Sequence, residues 1–547
     1  MKTTEKIVEL EKQITDLKAL VNFYEEQFKL SQRHRFGKSS EQSPEQLYFE
    51  NVFNEAEDQA DEKLPELTYE QITYKRKKRV GKKEEDLSCL PVERIDYELP
   101  EAQRLCPEHG TPMREIGIKV RDEIGIVPAK VVHIEHVTHV YACSDCGKES
   151  DTTPILKSEA PKPLISGSVA SPSIVAYLAV QKYMNGMPLY RMEKGFDYEG
   201  ITLSRQTMAN WLIYCTQNYL HGFYLLLIKY LLKESLLHGD ETTLQVLHEP
   251  NRTAQNKSYE WLYRTSKYST HQIIIYQYKE TRKQEHPQKF LSEFKGYLHC
   301  DGYQCYHNLP PDIIIVGCWA HVHRYWEELY ETISESKHSG SNAERGLLYI
   351  NLLFWFEDDF QDMEPEERYK KRLELSKPVS DEFFEWVSSL NALPKSLLGK
   401  AVHYSLSQRG YLENVYLDGR LEISNNRAER SIKPFVQGRK QWLFSNTPNG
   451  AESSSILYSI IETAKENKLN PFNYIKYLLE TIPNINSSGF EELLPWSNSL
   501  PDNCRVPQKS VEAKPIKRKY SKDKGPLAHA LAKLRKYFQE KQGAIDS

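Results

Sequence analysis

Among the 76 Asp and Glu residues of this 547-residue chain, three stand out because each ends or opens a recognisable element. Asp240 sits in the apolar run Leu236-Leu237-His238-Gly239-Asp240-Glu241-Thr242, which continues through Thr243, Leu244 and Val246. Asp301 closes a second apolar run, Gly296-Tyr297-Leu298-His299-Cys300-Asp301, immediately before Gly302. Glu429 comes much later, in Ile423-Ser424-Asn425-Asn426-Arg427-Ala428-Glu429-Arg430, at the start of a predicted helix. Carboxylate oxygens are hard ligands that suit Mg²⁺ or Mn²⁺ rather than softer metals. Two such ions about 3.5–4 Å apart activate an attacking oxygen and stabilise a leaving one in phosphodiester transfer. The basic residues that follow Glu429, namely Arg430, Lys433, Arg439 and Lys440, would then clamp phosphates. A single acid is more often a solvated side chain. Asn425 or Asn426 would simply cap the helix that carries Glu429. His321 and His323 are candidate ligands or phosphate contacts. Trp442 and Phe444 could stack on a base, although burial in a core is the commoner fate of both.

The elements that must position these acids follow from the pattern around them. Strand-like runs at 259–263 and 272–278 follow the Asp240 strand, and a short helix-like stretch is predicted near 290–294. The Asp301 strand comes next, and then Ile313-Ile314-Ile315-Val316, leading into Cys318-Trp319-Ala320-His321. This order is that of a ribonuclease-H-like α/β core, in which the first and fourth strands are neighbours, so that carboxylates on them converge. Residues 326–412 read as mostly helical and would interrupt the core before Glu429 arrives.

Upstream, Cys106-Pro107-Glu108-His109 and Cys143-Ser144-Asp145-Cys146 have the two-residue spacing that wraps a turn around tetrahedral zinc. With strand-like segments between them, Cys106, His109, Cys143 and Cys146 predict a zinc ribbon holding a structural Zn²⁺. Unmetallated cysteines in a small sheet are the alternative. A helix over 171–185 is followed by a second opening at Pro188, broken near Gly195 and Gly200. A third, capped by Ser204, presents Arg205, Gln206 and Asn210 on a polar face. That is a helix-turn-helix pattern, although many helical hairpins bind no DNA. At the N-terminus Ile7, Leu10, Ile14, Leu17, Val21, Tyr24 and Phe28 form an a/d heptad seam, predicting a coiled coil for self-association.

A mean hydropathy of −0.63, with no long apolar run and no apolar leader block, argues against a membrane protein or a secreted one. The nine scattered cysteines fit a reducing cytoplasm better than a disulfide framework. The net charge of −4 alone argues weakly against a nucleic-acid binder. The charge is uneven, however: an acidic stretch over 41–70 is followed by basic clusters at 75–83, 427–440 and 514–524, which can meet phosphates locally.

Together these segments resemble the bacterial insertion-sequence transposases of the "sixty-six" group. The resemblance runs from Arg35-Phe36-Gly37 to Glu491-Glu492-Leu493-Leu494-Pro495-Trp496. It is most specific at Asp240-Glu241-Thr242, Asp301-Gly302-Tyr303, Cys318-Trp319-Ala320-His321, Asn425-Asn426-Arg427-Ala428-Glu429-Arg430 and Gly438-Arg439-Lys440-Gln441-Trp442-Leu443-Phe444. His109 stands where the family is expected to have Cys, and Ser424 where it is expected to have Asp. The resemblance implies a multidomain α+β chain: a coiled-coil helix (1–40), a linker (41–95), a zinc-ribbon-like domain (96–155) and a helix-turn-helix-like domain (160–232). A core in two parts (233–325 and 415–483) follows, with a helical insertion (326–414) and a C-terminal extension (484–547). It also implies an Asp240-Asp301-Glu429 triad acting with Mg²⁺ or Mn²⁺ and double-stranded DNA as partner, both element terminal inverted repeats and target. A homodimer or larger assembly, possible accessory proteins of the same element and a cytoplasmic, nucleoid-associated setting complete the expectation. Two rivals stay open. A non-catalytic DNA-binding regulator would leave the acids dispensable, and a metal-dependent nuclease would cut without joining.

Overall fold

The computed structural model describes residues 130–142, 155–158, 162–507 and Leu534. The predicted coiled coil, the linker, the four zinc-ribbon ligands and the basic tail lie outside the described residues. Of the strand pattern read over 131–141, only β1 (Val140–Ala142) is a strand, and it pairs antiparallel with β2 (Ile155–Lys157).

Three helices follow, the first and third capped by serine hydroxyls. α1 (Pro172–Tyr183) starts where Ser171 Oγ accepts the Ile174 amide at 3.3 Å, with Pro172 at the first helical position. α2 (Leu189–Tyr198) runs straight through Gly195, where sequence reasoning expects a break, and ends before Gly200 at φ +77°. An exposed helical glycine costs about 1 kcal/mol against alanine, too little to interrupt a helix whose Met192 and Phe196 are buried. α3 (Arg205–Cys215) is capped by Ser204, whose hydroxyl accepts the Thr207 amide at 3.1 Å. A π-helical turn carries it on into α4 (His221–Leu231).

The centre is a five-stranded sheet in the order β5-β4-β3-β6-β7. β3 (Leu236–Gln245), β4 (Lys257–Thr265) and β5 (Ile274–Lys279) are an antiparallel meander. After α5 (Glu285–Phe290), β6 (Gly296–His299) and β7 (Ile313–Val316) add parallel strands on the other side of β3. Sequence reasoning places α5 several residues later, near Phe290. The helix starts earlier, with Pro287 in its first turn, where a proline's missing N–H has no helical partner to lose.

Between β7 and the helix bearing Glu429 the chain is helical: α6 (Trp319–Thr332), α7 (Asn342–Asp359), α8 (Pro365–Lys371), α9 (Lys377–Ser388), α10 (Leu397–Ser407) and α11 (Arg409–Glu413). Trp319, Trp326, Phe383 and Phe384 centre a hydrophobic cluster of these helices. α7 approaches α6 so closely that a Cβ on Gly346 would meet the Trp326 ring at 2.3 Å. α12 (Asn426–Trp442), α13 (Pro448–Glu466) and α14 (Pro471–Thr481) then join the N-terminal helices and the sheet in a larger core.

β5 is a sheet edge, and α13 seals it. Ser459 Oγ accepts the Tyr276 amide at 2.8 Å and Thr463 Oγ1 accepts the Ile274 amide at 3.0 Å. Four helical residues advance about 6 Å and two strand residues about 6.6 Å, so hydroxyls at i and i+4 match every second strand residue. An edge satisfied in this way offers little to a foreign strand.

Candidate active site

His238 and His299 are paired across the parallel β3–β6 ladder. Side chains two residues apart share a face, so Asp240 and Asp301, each two residues further on, emerge side by side beyond the ladder. The imidazoles beneath them are buried and stacked, with centroids 5.2 Å apart and planes within 10°. Asp240 Oδ1 accepts the Glu241 amide at 2.8 Å. Asp301 Oδ1 accepts the Tyr303 amide at 3.1 Å, folding the chain back at Gly302, where a Cβ would meet Gln408 and the Tyr404 hydroxyl within 2.9 Å.

α12 is docked onto this face by Asn425, its N-cap residue. The sequence offers Asn425 as a simple cap, yet its side chain makes no capping bond. Instead Nδ2 donates to the Gly239 carbonyl at 2.8 Å, and Oδ1 lies 3.1 Å from His238 Nδ1. The approach to α12 is itself pinned from the helical layer. Arg372, fully buried, pairs with both oxygens of Glu357 at 2.6 Å and donates to the carbonyls of Val415, Asp418 and Leu421. The helices between β7 and α12 thereby help set where Glu429, in the first turn of α12, meets the sheet.

The electrostatics of the three acids reflect this gathering. Burial pushes the Asp240 carboxyl well above the usual range, and the charges of Glu241, Glu429 and Asp301 push it further. Asp301 is also raised by burial, against the pull of the Tyr303 amide and of Arg282, His307 and Arg324. Glu429 is raised by burial and by Asp301, with Arg324 and Lys433 opposing. Its Oε1 is buried without a hydrogen-bond partner, 3.9 Å from His321 Nδ1. Partly buried acids, two of them raised further by neighbouring carboxylates and one with an orphaned oxygen, are a donor set that divalent cations fit.

The basic residues after Glu429 divide. Arg430 and Lys440 are exposed and Lys433 half-buried, whereas Arg439 donates to Thr243 Oγ1 at 2.7 Å and to the Thr243 carbonyl, tying α12 to β3. Trp442 is half-buried against Phe435, but Phe444 is 42% exposed. His323 faces Asn351 and Glu327, away from the acids. Arg205, Gln206 and Asn210 lie exposed on α3, where the Gln206 amide donates to Asn210 Oδ1 at 3.3 Å. Sequence reasoning passed over Glu241, although its neighbour Asp240 marked it. On the opposite face of β3, Glu241 pairs with Arg282 and accepts the Tyr306 hydroxyl at 2.6 Å.

Residues 167–453 match the profile described as "Transposase IS66 family", and residues 459–496 match that of the "IS66 C-terminal element". The chain belongs to the IS66 transposase family. Residues 103–147 of this transposase match the "zinc-finger binding domain of transposase IS66", a span that contains all four predicted zinc ligands. Residues 24–95 match "Transposase C of IS166 homeodomain". Three proteins of Sinorhizobium fredii (strain NBRC 101917 / NGR234) are similar, each named only as uncharacterized. One, y4qI, is 29% identical over 64% of this chain and 66% of its own length. A second, y4hP, is 27% identical over 74% of each chain, and y4jD is 26% identical over 75% of this chain and 82% of its own. A transposase of this family has DNA as its partner, and a zinc-finger segment together with a transposase core implies both zinc and divalent-metal use. No helix among the described residues is long and apolar enough to cross a membrane.

Proposed function

We propose that the chain is a DDE-type DNA transposase in which Asp240, Asp301 and Glu429 hold two Mg²⁺ or Mn²⁺ ions. It binds the terminal inverted repeats of its element, hydrolyses a phosphodiester to expose a 3′-hydroxyl and joins that end to target DNA. The observation that carries this reading is the placement of Asp240. The charged groups acting most strongly on it are all acidic, an arrangement that a bound cation relieves. The strand order β5-β4-β3-β6-β7, with an antiparallel meander and two parallel strands beyond β3, supports a ribonuclease-H-like core. When bound, the cations would activate the attacking oxygen and stabilise the leaving one.

The chain's own residues do the rest. The His238–His299 stack and Asn425 fix the strands and α12 relative to one another, so the acids are held before DNA arrives. Arg430, Lys433 and Lys440 lie along α12, where they would meet the DNA backbone, with Arg439 bracing the helix. Arg205, Gln206 and Asn210 would read DNA from the exposed face of α3. Cys106, His109, Cys143 and Cys146 would hold a structural Zn²⁺, and the N-terminal heptads would bring two copies, and with them two element ends, together.

A strand-transfer assay on labelled element-end DNA with Mg²⁺, comparing wild type with Asp301→Ala, tests this directly. Metal-dependent joined products that vanish in the variant are expected. Joining that survives Asp301→Ala overturns the carboxylate assignment. End binding with no cleavage by the wild type overturns the enzymatic reading in favour of a DNA-binding regulator.

A further inference from the structure

Beside the three acids lies a donor set of different chemistry. Cys318 is the residue from which α6 starts, and its side chain is almost wholly buried. Its Sγ accepts the Asn425 amide at 3.1 Å, and burial pushes the thiol up. An N–H donor to the sulfur at the start of a 14-residue helix is a setting that stabilises a thiolate once a cation displaces the proton. His321 lies one turn on, so it shares a helix face with Cys318. Its Nδ1 and Glu429 Oε1 face each other across 3.9 Å, both buried and both without a hydrogen-bond partner. One ligand atom from each of Cys318, His321 and Glu429 lies within 4.8 Å of the other two.

Two buried lone-pair atoms facing each other are unfavourable unless a proton or a cation lies between them. At 3.9 Å the two atoms are too far apart for a hydrogen bond between them, and the gap leaves room for a cation that both could ligate. We propose that Cys318, His321 and Glu429 form a second metal site, for a borderline divalent cation of the zinc class, with its fourth position open. Thiolate, imidazole and carboxylate together favour Zn²⁺ or Co²⁺ over Mg²⁺, which is better served by oxygen ligands alone. An ion at about 2.0–2.3 Å from each donor spaces them about 3.3–3.6 Å apart, a contraction of about 1 Å that side-chain rotation supplies. On uptake the thiol proton leaves to solvent and the cation takes its place on sulfur. The site stands on its own geometry whether or not the enzymatic reading holds. It shares Glu429 with the acid cluster, so a zinc-class ion there withholds Glu429 from the harder cations.

Cobalt titration of the full-length protein, followed by its ligand-field and sulfur-to-cobalt charge-transfer absorption, tests the site. Cys318→Ser is the informative variant, because serine caps a helix well and keeps an acceptor for the Asn425 amide while losing the thiolate. His321→Asn leaves the sulfur cap untouched and serves as the second variant. Wild type is expected to bind one more equivalent of Co²⁺ than Cys318→Ser, with added charge-transfer intensity that Cys318→Ser loses. Zinc affinity for that equivalent should fall at least about 100-fold in either variant, as loss of a ligand should exceed the 10–100-fold typical of losing its supporting partner. The cysteines near the N-terminus contribute equally to all three proteins and cancel in the difference. Equal stoichiometry and superimposable spectra in wild type and both variants overturn the site. Asp301→Asn removes none of its ligands and should keep the spectrum, while strand transfer by the same variant tests the carboxylate reading separately. Loss of the cobalt band in Asp301→Asn also overturns a distinct site.

Discussion

Asp240 and Glu241 are consecutive, of the same chemical type and both raised by burial, yet they point to opposite faces of β3 and find different partners. Strand alternation sends Asp240 to the face covered by α12 and Glu241 to the face covered by Tyr306 and Arg282. Glu241 is buried but satisfied: Arg282 pairs with one oxygen and the Tyr306 hydroxyl donates to the other, while Arg282 itself lies 3.5 Å over the Tyr303 ring. Asp240 has an amide donor and, beyond it, other acids. A paired carboxylate holds a fold together, whereas one left among like charges is arranged for a cation that is not part of the chain. The largest expected effect follows from this contrast. Asp240→Asn should lower strand transfer at least about 1,000-fold, on the scale of losing a group that acts in the transition state. Glu241→Gln should lower it by about tenfold or less. Equal losses in the two variants would erase the distinction between the faces.

A third carboxylate extends the comparison. Glu260, on β4, shares the α12 face with Asp240 but lies deeper, fully buried, with neither a cation nor an acid as its main neighbour. Burial pushes it up to about 8, with the Ser455 hydroxyl pulling the other way. A carboxyl whose folded pKa exceeds its unfolded value of about 4.3 favours the folded state at low pH, and that advantage is lost as pH rises through the folded value. Stability should therefore fall by a few kcal/mol between about pH 5 and pH 8 on account of this residue. Glu260→Gln should flatten the slope and melt higher than wild type at pH 8. The comparison is read from thermal unfolding of both proteins across that range. An unchanged slope would mean that Glu260 is ionised and paired in the fold.

Next in size is the structural role of Glu241. Glu241→Gln leaves Arg282 without its carboxylate and should destabilise the protein by about 2 kcal/mol, in the range for hydrogen bonds to charged groups. Urea unfolding gives the value directly. An unaltered midpoint would show that solvent, which reaches Arg282 at 34% exposure, replaces the pair without loss.

Local chemistry made the sheet and two of its acids legible: apolar runs ending in Asp-Gly or carrying Gly-Asp, and Ser204 before a polar helix. The brackets that position them were not, because they join residues far apart in the chain. Asn425 reads as a cap, and only the fold shows its side chain bound to Gly239, 186 residues away. The sealing of β5 by Ser459 and Thr463 is hidden in a helix whose many hydroxyls look like an exposed face. Phe444 reads as core, yet Leu443 adopts φ +63° directly after α12 and turns the chain so that both side chains are exposed. Glu241 could have been read from parity alone, since consecutive strand residues cannot share a face.

The smallest effect is the most discriminating, because its sign differs between the two neighbours. If Asp240 is held among acids for a cation, neutralising it relieves repulsion in the metal-free protein. Asp240→Asn keeps Oδ1 as an acceptor for the Glu241 amide while removing the charge that Glu241, Glu429 and Asp301 oppose. Without divalent ions the variant should be more stable than wild type by about 1 kcal/mol, where Glu241→Gln is less stable. Adding Mg²⁺ should reverse the order. Wild type gains about 2.7 kcal/mol at a hundredfold excess over its dissociation constant, and the variant, lacking a ligand, gains less. Melting curves of the two proteins with and without Mg²⁺ should therefore cross. If Asp240→Asn melts below wild type in the presence of a chelator, Asp240 is a satisfied structural group, and the contrast with Glu241 is wrong at its root.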